Sequence, residues 1–124
     1  MQKLFALLEK LQDGRNRSGQ ELADNMQLTR GAVWHQVKQL QALGIDIHAV
    51  SGKGYRLPGG YEFLNAQEIK TALPHDVAEK ISSIDVYQVV DSTNEKLLTE
   101  SAREDVHGRL VLSEYQTAGR GRRG

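Results

Sequence analysis

The sequence predicts an α+β protein in two units, and three observations carry that prediction. The first half runs helix, capped helix pair, then two short extended runs about a glycine-rich turn. The second half reads strand, helix, strand, which is the beginning of an α/β domain. Between them Pro58-Gly59-Gly60 interrupts every periodicity and marks the boundary, giving units 1–60 and 61–124.

Leu4, Leu7, Leu8 and Leu11 recur at helical spacing, so residues 2–12 form an amphipathic helix that Asp13-Gly14 ends. Ser18 with Glu21 has the spacing of a capping box, and Leu22, Ala23 and Met26 mark the short helix behind it. Thr29 is a good N-cap for a third helix with Val33, Val37 and Leu40 on its buried face, and Gly44 stands where a helix-ending glycine belongs. The runs Ile45–Val50 and Tyr55–Leu57 flank Ser51-Gly52-Lys53-Gly54 and read as a hairpin. Three short helices make a marginal core, and a hairpin can cover its open edge.

In the second unit Asn65 caps a short helix carrying Ile69 and Leu73, and Pro74 breaks the chain. Val77 to Ile81 is expected to form one more helical turn. Ile84 to Val90 reads as a strand. Asp91-Ser92-Thr93-Asn94 then leads into a helix with Leu97 and Leu98, and Leu110 to about Tyr115 is the next strand. This is too little for a complete α/β domain.

The 124 residues contain no cysteine, which excludes disulfides and thiolate metal sites. The histidines at 35, 48, 75 and 107 are too scattered for a metal cluster, and no metal site is expected. The apolar stretch Leu4–Leu8 ends at Glu9-Lys10, too short for a signal-peptide core or a membrane span. A cytoplasmic location without a membrane partner follows. The net charge of zero hides an asymmetry. Residues 1–57 carry eight Lys/Arg against five Asp/Glu (+3), and residues 58–117 carry five against eleven (−6). Two units with different partners fit that split.

Residues 19–38 have the pattern of a helix-turn-helix, whose second helix enters the major groove of DNA. The candidate contacts are Arg30, Trp34, His35, Gln36, Lys38 and Gln39, taken as the face away from Val33 and Val37, with Lys53 at the hairpin tip reaching a phosphate or the minor groove. The plainer alternative is a three-helix protein-interaction module with a solvated polar face. Gly31 inside the helix costs about 1 kcal/mol against alanine, and Trp34 equally suits a core or interface position.

Asp91-Ser92-Thr93-Asn94 joins a strand end to a helix start. Its side chains suit simple capping, and equally a polar ligand site at the carboxyl end of a strand. The tail from Gln116 to Gly124 alternates glycine with arginine. Glycine lets backbone approach a ligand and arginine matches phosphate oxygens, so the tail suits a phosphate-binding loop. Gly119, Gly121 and Gly124 formally spell GxGxxG, but arginines at the variable positions are unlike a dinucleotide fold. A disordered Arg-Gly tail binding RNA is the other reading.

Taken together, Asp91-Ser92-Thr93-Asn94 and Glu114-Tyr115-Gln116-Thr117-Ala118-Gly119-Arg120-Gly121-Arg122-Arg123-Gly124 closely resemble the bifunctional biotin–protein ligases that double as biotin operon repressors. Gly52-Lys53-Gly54-Tyr55-Arg56-Leu57-Pro58 is similar to the wing of that family's winged helix, and Leu64-Asn65-Ala66 to its inter-domain connection. The resemblance spans essentially the whole chain. It implies a winged helix-turn-helix DNA-binding domain followed by the beginning of a biotin-ligase catalytic domain.

The resemblance also implies a two-step reaction. Biotin carboxylate attacks the α-phosphate of ATP, with magnesium as the ATP counter-ion, giving biotinyl-5'-AMP and pyrophosphate. A lysine of the biotin carboxyl carrier protein of acetyl-CoA carboxylase then takes the biotin. Ser92, Thr93, Asn94, Gln116, Arg120, Gly121 and Arg122 become the implied biotin and adenylate contacts. Operator DNA is the implied partner of the first unit, with a homodimer of the complete protein as the repressing form and biotinyl-5'-AMP as co-repressor. The family's Lys-Trp-Pro-Asn-Asp segment, with its essential lysine, falls after Gly124. No catalytic residue is therefore expected within the chain, and the piece alone is expected to be inactive. The rival to this reading is a stand-alone DNA-binding regulator without catalysis.

Overall fold

The computed structural model describes residues 1–123, so Gly124 of the Gly/Arg tail lies outside the described residues. The chain divides into two compact units, one spanning Met1–Glu62 and the other beginning at Phe63.

In the first unit α1 (Gln2–Leu11) buries Leu4, Phe5, Leu7, Leu8 and Leu11. α2 (Gly19–Met26) starts where the Ser18 hydroxyl accepts the Glu21 N–H at 3.0 Å. Only that half of the capping box forms. The Glu21 carboxylate turns instead to the Arg17 guanidinium at 3.4 Å. α3 (Arg30–Ala42) starts where Thr29 Oγ1 accepts the Ala32 N–H at 3.1 Å, and it buries Val33, Val37 and Leu40. It ends in a paired cap. Gly44, at φ +90°, donates to Gln41 and Ile45 donates to Leu40, each at 3.0 Å. Ile47 and Leu57 complete the core. Full burial of one such aliphatic side chain contributes about 1.5–3 kcal/mol.

The hairpin is shorter than its apolar runs. β1 (His48–Val50) pairs antiparallel with β2 (Gly54–Arg56), with Ala49 opposite Tyr55. Ile45 cannot begin the strand because its N–H closes the end of α3. A further pairing was not evident from the sequence. Arg17 donates to Tyr55 at 2.8 Å and accepts from it at 2.7 Å, adding a third extended segment beside β2. Gly54 makes this approach possible, because at φ +93° a Cβ there would collide with the Arg17 carbonyl. The Arg17 guanidinium also holds Asp13 at 2.6 Å. The Arg15 N–H bonded to Asp13, helped by Arg17, holds that carboxyl below the ordinary aspartate range.

In the second unit α4 (Ala66–Ala72) is capped by Asn65, whose Oδ1 accepts the Glu68 N–H at 2.9 Å. The next helical turn is α5 (His75–Ala78), not Val77–Ile81. Proline suits the start of a helix, where an N–H has no partner, so the turn begins directly after Pro74. β3 (Ser83–Val90), α6 (Thr93–Ser101) and β4 (Arg109–Gln116) form a β-α-β crossover with the strands parallel, Ser83 opposite Arg109 and Val90 opposite Gln116.

Among the described residues of this unit only Val111 is a buried hydrophobic, and α4, α5 and α6 bury no residue fully. Arg109 ties the crossover together at the start of β4. It hydrogen-bonds Asp85 at 2.8 Å and Glu104 at 3.0 Å, and forms an ion pair with Glu100 at 2.9 Å. These carboxylates, Asp85 foremost, raise the Arg109 pKa. Among the described residues no helix is long and apolar enough to cross a membrane.

The turn between α2 and α3 carries Gln27 at φ +55°, the left-handed region, where Leu28 reaches back to Ala23 at 2.8 Å. A side chain with a Cβ costs about 1–2 kcal/mol there. Gln27→Gly is therefore expected to raise stability by about 1 kcal/mol, read from the urea midpoint.

Candidate nucleic-acid interface and ligand site

α3 turns one face to the core and the other outward. Arg30, Trp34 and Lys38 follow one another at intervals of four, so they form a single stripe along the helix. All three are exposed, as are His35 and Gln39 beside them. Trp34 is 47% exposed and is not a core residue. Its ring meets the His35 ring edge-on with centroids 5.0 Å apart, and Lys38 Nζ stands 5.6 Å from its centroid.

Gln36 departs from the sequence expectation. It is only 8% exposed and lies on the inward side, three residues after Val33 and four before Leu40. Its Oε1 is buried without a hydrogen-bond partner. Gln36 therefore does not belong to the outward face, and its polar character alone had suggested otherwise.

Lys53 is exposed at the hairpin tip, where its N–H donates to Val50 at 3.0 Å. Between the starts of α2 and α3 and this hairpin runs an open groove of about 420 Å³. Arg30 and Lys53 are its charged lining residues, and Ser18, Gln20 and Tyr55 also face it. The sequence marks Ser18 only as a cap and Tyr55 only as part of a strand. Nothing in their spacing shows that folding would place them beside two cations.

In the second unit the strand-end cluster assembles at the carboxyl ends of β3 and β4, a common ligand position in parallel sheets. Thr93 donates from both its N–H (2.9 Å) and its hydroxyl (3.2 Å) to Gln116 Oε1. That fixes the Gln116 amide and leaves its Nε2 as a donor. Ser92 is 7% exposed. Its Oγ accepts the Glu95 N–H at 3.4 Å, and its own N–H donates to Asp91 at 2.7 Å. Capping is thus an observed role of this segment. Asn94 is exposed on the first turn of α6. The strand pairing continues past Gln116, with Thr117 donating to Val90 at 3.0 Å and Ala118 to Asp91 at 2.8 Å. Arg120, Gly121 and Arg122 lie exposed beyond it and take no part in this hydrogen-bond set.

Both halves of the sequence are similar to known proteins. The family described as an HTH domain matches residues 3–56. The Escherichia coli protein named bifunctional ligase/repressor BirA is 38% identical over 122 residues, covering 98% of this chain and 35% of its own. The Salmonella typhimurium protein of the same name is 36% identical over 120 residues, covering 97% of this chain and 35% of its own. A third, from Bacillus subtilis, is 36% identical over 106 residues, covering 85% of this chain and 32% of its own. The chain is thus similar, over nearly all of its length, to proteins named bifunctional ligase/repressor. It corresponds to the N-terminal part of these relatives and spans about a third of their length. The HTH match ends at Arg56, within the first compact unit, while similarity to the ligase/repressors continues through the strand-end cluster.

The inward position of Gln36 has a measurable consequence. An apolar side chain of similar length removes a buried acceptor that lacks a partner, so Gln36→Met should stabilise the first unit by about 1 kcal/mol. Urea unfolding measures the gain, and any DNA affinity should stay unchanged because residue 36 does not face outward.

Proposed function

We propose that this chain is the operator-binding and biotin-binding portion of a biotin-responsive transcriptional repressor that is also an ATP-dependent biotin ligase. In this reading residues 1–60 are the DNA-binding domain, and residues 61–124 are the connection and first part of the ligase domain. The observation that carries it is similarity to ligase/repressors across 98% of the chain, combined with a Thr93–Gln116 pair locked at the ends of two parallel strands.

The first unit supports the DNA half of this reading. Arg30 and Lys38 suit phosphates or guanine, Gln39 suits adenine, and His35 and Trp34 sit between them on the exposed stripe. Lys53 extends from the hairpin toward a phosphate. Each cation that meets a phosphate releases a counter-ion, so Arg30→Ala and Lys38→Ala should each weaken duplex binding. Each should also lower the slope of log affinity against log salt by about one unit. Unchanged affinity and slope after both substitutions would remove α3 from the interface.

The second unit supports the ligand half. Gln116 Nε2 is a donor held in place by Thr93, which suits the carbonyl of a small polar ligand such as biotin. Ser92 and Asn94 flank it, with Arg120 and Arg122 following on the glycine-rich segment. Biotin and ATP supply the acyl and adenylyl groups, and the chain's part is to bind, orient and shield them. Arginine beside phosphate oxygens favours the charge that develops there. The remaining assignments are a cytoplasmic location, the carrier protein of acetyl-CoA carboxylase as acceptor, and a homodimer with biotinyl-5'-AMP as co-repressor.

In the full-length protein Arg122→Ala should release biotinyl-5'-AMP about tenfold faster, the loss of one charge-assisted contact. Free adenylate would accumulate while carrier biotinylation slows. Retention as tight as in the parent would leave Arg122 a solvated loop residue.

A further inference from the structure

Trp34 is the only tryptophan of the chain, and nearly half of it is exposed on a helix whose core face is already complete. Val33, Val37 and Leu40 fill the interior, so packing within the unit does not require the indole. It stands midway along the stripe between Arg30 and Lys38, one helical turn from each. It is also oriented in advance, with Lys38 Nζ 5.6 Å from its centroid and the His35 ring edge-on at 5.0 Å. An aromatic that alternates with two cations along the outward face of this helix would face the bases when those cations meet phosphates.

We propose that Trp34 is a specificity-determining residue that reads a thymine in the major groove. The inference rests on the DNA-binding reading above and deepens it. The chemistry of the indole selects the base. Its ring is apolar and its Nε1–H only donates. Thymine presents an acceptor, O4, beside a C5 methyl group. Cytosine presents a donor, which a donor-only side chain cannot satisfy. Adenine and guanine offer acceptors but no methyl group to cover the ring. Of the four major-groove edges, thymine alone offers both an acceptor and an apolar group. The flanking cations set the register of α3 on the backbone, and Trp34 supplies the base-dependent contact between them.

The test uses the full-length protein with biotinyl-5'-AMP and duplexes enriched by it from a randomised pool. Thymines of an enriched duplex are replaced one at a time by deoxyuridine, which removes only the methyl group. Binding is followed by anisotropy of dye-labelled DNA. At one thymine of the site, replacement should weaken binding about fourfold, the worth of one buried methyl group. In Trp34→Ala, checked for folding by circular dichroism, that penalty should vanish, whereas Trp34→Phe should keep most of it. A uracil penalty that persists in Trp34→Ala overturns the assignment. So does uniform binding of every uracil duplex by the parent, which would place the ring on the backbone or away from DNA. If the full-length protein with biotinyl-5'-AMP enriches no duplex, the DNA-binding reading itself fails, and that outcome is distinct from binding without methyl recognition.

Discussion

The reciprocal hydrogen bonds between Arg17 and Tyr55 give the first unit its working shape. A two-stranded hairpin of three residues a side has too few pairs to hold a position alone. Arg17 supplies a third extended segment, and it does so immediately before the Ser18 cap. The start of α2 and the hairpin are therefore fixed to one another through a single residue. The groove lined by Ser18, Gln20, Arg30, Lys53 and Tyr55 is a result of that join. Gly54 is its steric condition, since any side chain would displace the Arg17 carbonyl.

The second unit obeys a different constraint. Parallel strands cannot be joined by a tight turn, so β3 and β4 need α6 between them. The crossover brings the first residues of α6 beside the last of β4, and Thr93 meets Gln116 there. At the other end Arg109 pairs with three carboxylates and binds α6 to β3. Much of the order in this unit is carried by hydrogen bonds and ion pairs, because only Val111 is a buried hydrophobic among its described residues. The acidic excess of residues 58–117 is partly gathered by Arg109 and Lys96, whose ammonium bonds Glu100 at 3.2 Å and lies 4.7 Å from the Tyr87 centroid.

Local rules made much of the fold legible. The leucines of α1 and the caps at Ser18, Thr29, Asn65 and Ser92 are readable because each depends on neighbours within one or two helical turns. The failures share a cause. Apolar content points to Val77–Ile81, whereas the proline at 74 governs where the turn begins. Polarity points Gln36 outward, whereas its spacing from Val33 and Leu40 places it on the inner side. The strand expected from Ile45 starts later because one N–H serves the end of α3.

The sequence by itself determined the order of elements, the caps, the two units and the residue types available to each candidate site, since periodicity and capping are local properties. It also contained the segments that resemble the ligase/repressors. Only the tertiary structure decided which side chains meet. It joined Arg17 to Tyr55 across 38 positions, set Gln116 beside Thr93 across 23, and placed Trp34 outside rather than in the core. Such pairings depend on loop closure and on competition for the same buried space, and no window of sequence contains either.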